Sequence, residues 1–184
     1  MPNPDQVWDV PSHIAKNYSK VSLYIDVMHV NDIMFLVGVS KLIGLIQCVC
    51  IRKKKREKFL HVILLMICKY QAQGIFDVIS IGADKAFDPI ESELKDEPYN
   101  VALIACDADC HVEFVERMVR FVKERIQVVR LTIPYKTIPK RLTIEMVHRV
   151  VILMNSLSFQ GSLYRILSPR EIVTGKNSDV LLFA

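Results

Sequence analysis

The segment from Val21 to Ile51 leaves this chain few ways to fold. Most of its residues are apolar, and two polar pairs, Asn31-Asp32 and Ser40-Lys41, cut it into three runs. In the first run Val21, Leu23, Ile25 and Val27 alternate with Ser22, Tyr24, Asp26 and Met28, which is the two-residue period of a strand. Asn-Asp is turn chemistry. Met34–Val39 reads as a second strand and Leu42–Ile51 as a third, with Val49 and Ile51 favouring strand over helix. Three short strands joined by tight turns predict an antiparallel meander.

The same stretch admits a competing architecture. Ile33–Ile51 is mainly apolar and is followed by the cations Arg52–Arg56, the pattern of a membrane span with a cytoplasmic stop signal. Lys41 and Gln47 near its middle argue against insertion, because a mid-span charge costs about 2.5–3.5 kcal/mol. A single-pass membrane protein is therefore kept only as an alternative, and no membrane partner is expected.

Asp26 interrupts an apolar strand. A carboxylate there is costly unless it is paired, hydrogen-bonded or bound to a metal, so Asp26 is either a structural acid or a functional one. Downstream, the basic run Arg52–Lys58 opens a helix reaching about Gln73, with Phe59, Val62, Ile63, Met66, Ile67 and Tyr70 as its buried stripe. Cations at a helix start oppose the macrodipole; the run is a solvated face or a phosphate contact. Gly74 suits the position after that helix. Ile75–Ile81 reads as a strand buried on both faces and leads into Gly82-Ala83-Asp84-Lys85-Ala86-Phe87. An acid just past the carboxyl end of such a strand occupies the usual ligand crevice of α/β sheets.

Pro89–Glu97 reads as a short helix and Val101–Cys106 as a fifth strand. In the helix predicted over Cys110–Arg125, Val112, Val115, Val119, Val122 and Ile126 form one stripe, and Glu116, Arg120, Lys123 and Gln127 follow the same step on another face. Taken alone, Glu116 and Arg120 are an ordinary i,i+4 pair worth a few tenths of a kcal/mol. Thr132–Arg141 is a Pro- and cation-rich loop able to lie near a polyanion. Leu142–Leu157 is a further helix with Ile144, Val147, Val151 and Met154 inward, and Ser168-Pro169-Arg170-Glu171 is a capping box closed by Gly175. The expected organisation is an extended lead-in over 1–20, a core over 21–157 and a C-terminal extension over 158–184 with the short capped helix.

Composition bounds the rest. The 184 residues suffice for one ordinary domain, 51% of them are hydrophobic, and mean hydropathy is +0.25. The net charge of +4 permits a polyanionic partner without demanding one. Five cysteines with no CxxC and no evident secretory signal predict reduced, buried thiols in a nuclear or cytoplasmic protein. Cys106, Cys110 and His111 make a weak zinc set, and His29, His61 and His148 read as surface or packing residues.

The ordered acids Asp26, Asp84 and Glu116, with the blocks around them, resemble the catalytic core of retroviral-type integrases and transposases, and most closely that of copia-type retrotransposon integrases. VSLYIDVMHVND is similar to the family's first-acid strand, ISIGADKAFDPI to its second-acid segment with Phe87 at the usual aromatic position, and HVEFVERMVRFVKER to its third-acid helix. IPYKTIPKRLTIEMV, MNS and SPREIVTG follow in family order, so the likeness spans about residues 21–177. It implies an α/β, ribonuclease-H-like fold: a five-stranded mixed sheet, three antiparallel strands then two parallel, flanked by helices.

The resemblance also implies DNA integration by polynucleotidyl transfer. Asp26, Asp84 and Glu116 would be catalytic and would hold two Mg²⁺ (or Mn²⁺) ions, Asp26 bridging both, since such ions take hard oxygen ligands. Arg120, Lys123 and Lys85 would contact DNA, meaning element ends and target. Lys85 stands where relatives often carry Asn or Gly, a cation able to pair with Asp84 or crowd a metal. With no His/Cys module upstream and no basic module downstream in the sequence, the expected partners are further copies of the chain or separate integrase domains. The alternative is a catalytically decayed DNA-binding relic.

Overall fold

The computed structural model describes residues 10–72, 74–105, 112–158 and 167–175. β1 (Lys20–Val30), β2 (Ile33–Ser40) and β3 (Ile46–Ile51) form the antiparallel meander read from the sequence. β4 (Asp77–Ala83) pairs in parallel with β1, and β5 (Ala102–Ala105) in parallel with β4, giving the order β3-β2-β1-β4-β5. The expected mixed sheet is thus present.

Local chemistry explains the first hairpin. Asn31 and Asp32 both take positive φ, 47° and 60°, as a two-residue hairpin turn requires and as these residue types tolerate. Asn31 then ties the turn down: its Nδ2 donates to Thr143 Oγ1 at 3.3 Å, and its Oδ1 accepts from Arg130 at 3.3 Å.

Helices cover both faces. α1 (Ser12–Tyr18), α2 (Arg56–Gln71), α3 (Glu91–Lys95) and α6 (Pro169–Thr174) lie on one, α4 (Val112–Thr132) and α5 (Lys140–Asn155) on the other. Val21, Leu23 and Ile25 pack with Ile63, Met66, Ile67 and Tyr70, while Met28, Phe35 and Val37 pack with Val115, Val119, Val122 and Val147. β2 is buried at every position, which accounts for the greasy composition without a bilayer. At Gly38 an added Cβ would stand 2.8 Å from Met66 Sδ, so the missing side chain lets β2 and α2 close on each other. The edge strand starts at Ile46, whose N–H donates to Asn155 Oδ1 at 2.9 Å while its carbonyl accepts from Asn155 Nδ2 at 2.6 Å. One carboxamide of α5 thereby stands in for a neighbouring strand.

Several expectations need correction. Residues within the supposed extended lead-in form α1, because Ile14 is fully buried in the core and the Pro11 carbonyl accepts from Ile14 and Ala15. The third strand begins at Ile46 rather than Leu42: Gly44 adopts φ 76°, and the loop buries Ile43 and Leu45, whose apolar character had looked strand-like. The short helix near Pro89 divides into a 3-10 turn, Lys85–Ile90, that contains the proline, and α3. Lys140 and Arg141, expected in a loop, begin α5 directly after Pro139. Ile33–Ile51 is two strands and a loop, and among the described residues no helix is long and apolar enough to cross a membrane. Cys48, Cys50 and Cys68 are free thiols as expected; burial pushes the Cys48 thiol up to about 12, whereas Cys50 is half-buried and Cys68 is exposed, so the expectation of burial fails for Cys68. Cys106, Cys110 and His111 lie outside the described residues.

The capping box is as read. Ser168 Oγ accepts from Glu171 N–H at 3.2 Å, Glu171 Oε2 accepts from Ser168 N–H at 2.7 Å, and Gly175 takes φ 63°. The helix it caps adds the fully buried Ile172 and Val173 to the α2-side core.

Candidate active site

The register of the sheet brings the first two acids together. The last paired residues of β1 and β4 are Tyr24 and Gly82. Asp26 and Asp84 each follow two residues later, and Asp84 keeps extended backbone (φ −67°, ψ 154°) before the 3-10 turn. Side chains two apart on a strand share a face, so both acids emerge on the side of Tyr24, where α4 packs. Asp26 is half-buried and Asp84 exposed.

Packing places the third acid. Tyr24 meets Phe114 of α4 edge-on, with centroids 5.9 Å apart and planes at 72°. Val115 is buried against the sheet. These contacts anchor the first turns of α4, and Glu116, the next residue, is left exposed.

Electrostatics show that the acids sense one another. The Asp26 carboxyl is held above its ordinary value of 3.8, first by burial and then by the charges of Glu116 and Asp84. Opposing them, the Val27 N–H donates to Asp26 Oδ1 at 2.6 Å, and Lys123 of α4 favours the charged form. Asp26, Asp84, Glu116 and Lys123 therefore occupy one electrostatic neighbourhood. Arg120 is exposed one turn beyond Glu116, and Lys85 is exposed directly after Asp84; neither is among the groups that shift Asp26.

Among the described residues, no three His, Cys, Asp or Glu side chains are gathered so as to hold a metal ion. The chemistry of the donor set is that of a hard divalent cation's ligands, since all three groups are carboxylates.

A cleft of about 500 Å³ opens beside Asp26 and Asp84, and His29, Lys54, Arg56, Phe59 and Phe87 also line it. Phe59 and Phe87 meet edge-on at 5.5 Å, holding the turn after Asp84 against α2. Arg56 pairs with Glu93 of α3. Sequence reasoning left His29 as a surface or packing residue and treated Lys54 and Arg56 only as part of a basic run. His29 follows Asp26 by three residues on β1, whereas Lys54, on the loop after β3, and Arg56, at the start of α2, reach the acids only through the fold.

Neither a family model nor a curated protein matches the chain. Solved structures do match. The catalytic core domain of BIV integrase superposes with a TM-score of 0.57 at 16% identity, covering 83% of this chain and 92% of that one. The HTLV-2 integrase catalytic core domain, solved with magnesium in a trimeric form, gives 0.57 at 15% identity over 83% and 95%. The chain has the ribonuclease-H-like fold of a retroviral integrase catalytic core. The likeness is to integrase cores in general; the finer resemblance to copia-type elements rests on the sequence blocks.

Proposed function

We propose that this chain is the catalytic core of a copia-type retrotransposon integrase, a polynucleotidyl transferase acting on the ends of an element and on target DNA. One observation carries the reading: Asp26 and Asp84 stand at matching places two residues beyond the paired Tyr24 and Gly82 of neighbouring parallel strands, and Glu116 follows closely on Phe114 of α4, which packs on Tyr24, all within an integrase-core fold.

Asp26 with Asp84, and Asp26 with Glu116, would each hold one Mg²⁺ or Mn²⁺. When bound, two such ions activate an attacking hydroxyl and stabilise the leaving oxygen of an in-line phosphoryl transfer. The chain's own groups have separate tasks. The Val27 N–H holds one Asp26 oxygen at 2.6 Å and so orients the carboxylate. Lys123 offsets its charge, and with Arg120 and Lys85 it contacts phosphates, which positions DNA without reading its sequence. Further copies of the chain, or separate integrase domains, would complete a two-ended reaction in the nucleus or cytoplasm.

The test is nicking and strand transfer on labelled DNA with Mg²⁺ or Mn²⁺, comparing the parent with Glu116→Gln. Metal-dependent product formed by the parent and lost in the variant supports the reading. Product that survives the substitution removes Glu116 and the acid site with it. A second reading, a DNA-binding relic without catalysis, is favoured by the absence of a gathered three-acid group among the described residues. It predicts DNA binding with no product under either metal.

A further inference from the structure

The cleft beside the acids does not end at Lys54. A second groove, about 820 Å³, is lined by His29, Asp32, Cys50, Arg52, Lys54, Lys140, Arg141 and Glu145 among others. His29 and Lys54 line both hollows. The two therefore form one trough running from Asp26 and Asp84 to the first turn of α5.

The charges of this trough are unbalanced. Arg52, Lys54, Lys140 and Arg141 are all exposed, and among the described residues none of them forms an ion pair. Asp32 and Glu145 are the acids in the same lining. Helix stability does not explain the cations at α5, which starts with Lys140 and Arg141, has no acid in its first turn and no side-chain cap; cations there oppose the macrodipole. The walls are set in place, because Asn31 joins the β1–β2 turn to Thr143 on α5 and to Arg130 on α4.

We propose that this trough is a track for the phosphodiester backbone of duplex DNA, carrying one strand from the acids past His29 and Lys54 to Arg52, Lys140 and Arg141. The inference rests on the reading of the acids as a DNA-processing site, and it adds a binding surface that does not depend on catalysis. A row of unpaired cations along a groove neutralises successive phosphates and releases their counterions, so affinity falls with salt in proportion to the number of contacts. The cations lie on two separate segments, Arg52 and Lys54 on the loop between β3 and α2 and Lys140 and Arg141 at the start of α5, so neither segment alone marks the track.

The test is fluorescence anisotropy of the full chain with a labelled duplex in EDTA, so that metal and chemistry play no part, over a range of salt. Lys140→Gln with Arg141→Gln should weaken binding about tenfold or more and lower the salt slope by about 2. Lys54→Gln alone should lower it by about 1, which keeps the test open if the double variant folds poorly. The control, Lys16→Gln with Lys95→Gln, removes two exposed cations elsewhere and should leave both quantities near those of the parent. No binding by the parent, an unchanged slope in the trough variants, or an equal loss in the control would each overturn the track. Tenfold tighter binding of single-stranded RNA would overturn duplex DNA as its occupant. Intact trough-dependent binding without metal-dependent nicking would leave the track standing and remove the catalytic reading.

Discussion

Asp26 and Asp84 stand at matching places on neighbouring parallel strands, each two residues beyond the Tyr24–Gly82 pair. Burial and the charges of Glu116 and Asp84 hold the Asp26 carboxyl above 3.8. Between 3.8 and that raised value the folded protein keeps a proton that the unfolded chain has released. The contribution of Asp26 to stability is fully present below about pH 3.8 and is lost as pH rises through the raised folded value. Asp26→Asn does not titrate. Relative to the parent, it should gain stability as pH rises through this window and keep the gain at neutral pH. Urea unfolding of the metal-free proteins at several pH values measures this; a variant less stable than the parent at neutral pH would contradict it.

Divalent metal should reverse that order. Ligand that binds only the folded state stabilises it by about 2.7 kcal/mol at a hundredfold excess over Kd. Mg²⁺ or Mn²⁺ should raise the thermal midpoint of the parent and leave Asp26→Asn almost unmoved, because both proposed ion positions share that carboxylate. Equal shifts in the two proteins would show that any metal binds elsewhere.

Asn155 is expected to be a stability residue rather than a functional one. Truncation to Ala strands the N–H and carbonyl of the buried Ile46, which now bond at 2.9 and 2.6 Å. At about 1–3 kcal/mol for each unsatisfied group, the loss should come to about 2–6 kcal/mol in urea unfolding, with faster amide exchange at Ile46. A change below 1 kcal/mol would mean that water replaces the carboxamide.

Asn31 separates backbone from side-chain effects. Its φ of 47° suits Gly, so Asn31→Gly loses only the links to Thr143 and Arg130, whereas Asn31→Ala also strains the turn. The Ala variant should be the less stable by about 1 kcal/mol, measured by thermal or urea unfolding. Equal stabilities would show that the side-chain links, not the turn geometry, dominate.

The elements that could be read directly share one property: their information lies within a few residues. The alternation of Val21, Leu23 and Ile25 with Ser22, Tyr24 and Asp26 set the two faces of β1. Asn31-Asp32 set the turn, the stripe Val62, Ile63, Met66, Ile67 and Tyr70 set the buried face of α2, and Ser168 with Glu171 set the cap of α6. Misreadings arose where tertiary burial overrode local pattern. Ile14 draws a short polar segment into a helix, and Ile43 and Leu45 are apolar because a loop, not a strand, enters the core.

The candidate site divides along the same line. By itself the sequence determined which residues carry charge and in what order: Asp26, Asp84, Glu116 and the cations after them, each on an element of legible type. Only the tertiary structure decided which of them come near one another. Parallel pairing of β1 with β4 aligns the two aspartates, Tyr24 against Phe114 brings up Glu116, and the loop between β3 and α2 and the first turn of α5 carry Lys54, Lys140 and Arg141 to a shared trough. Helix and strand periods come from steric and hydrogen-bonding rules acting over a few residues, and so they show in a linear reading. Strand register and helix packing come from burial shared between distant segments, and no stretch of the chain holds that information alone.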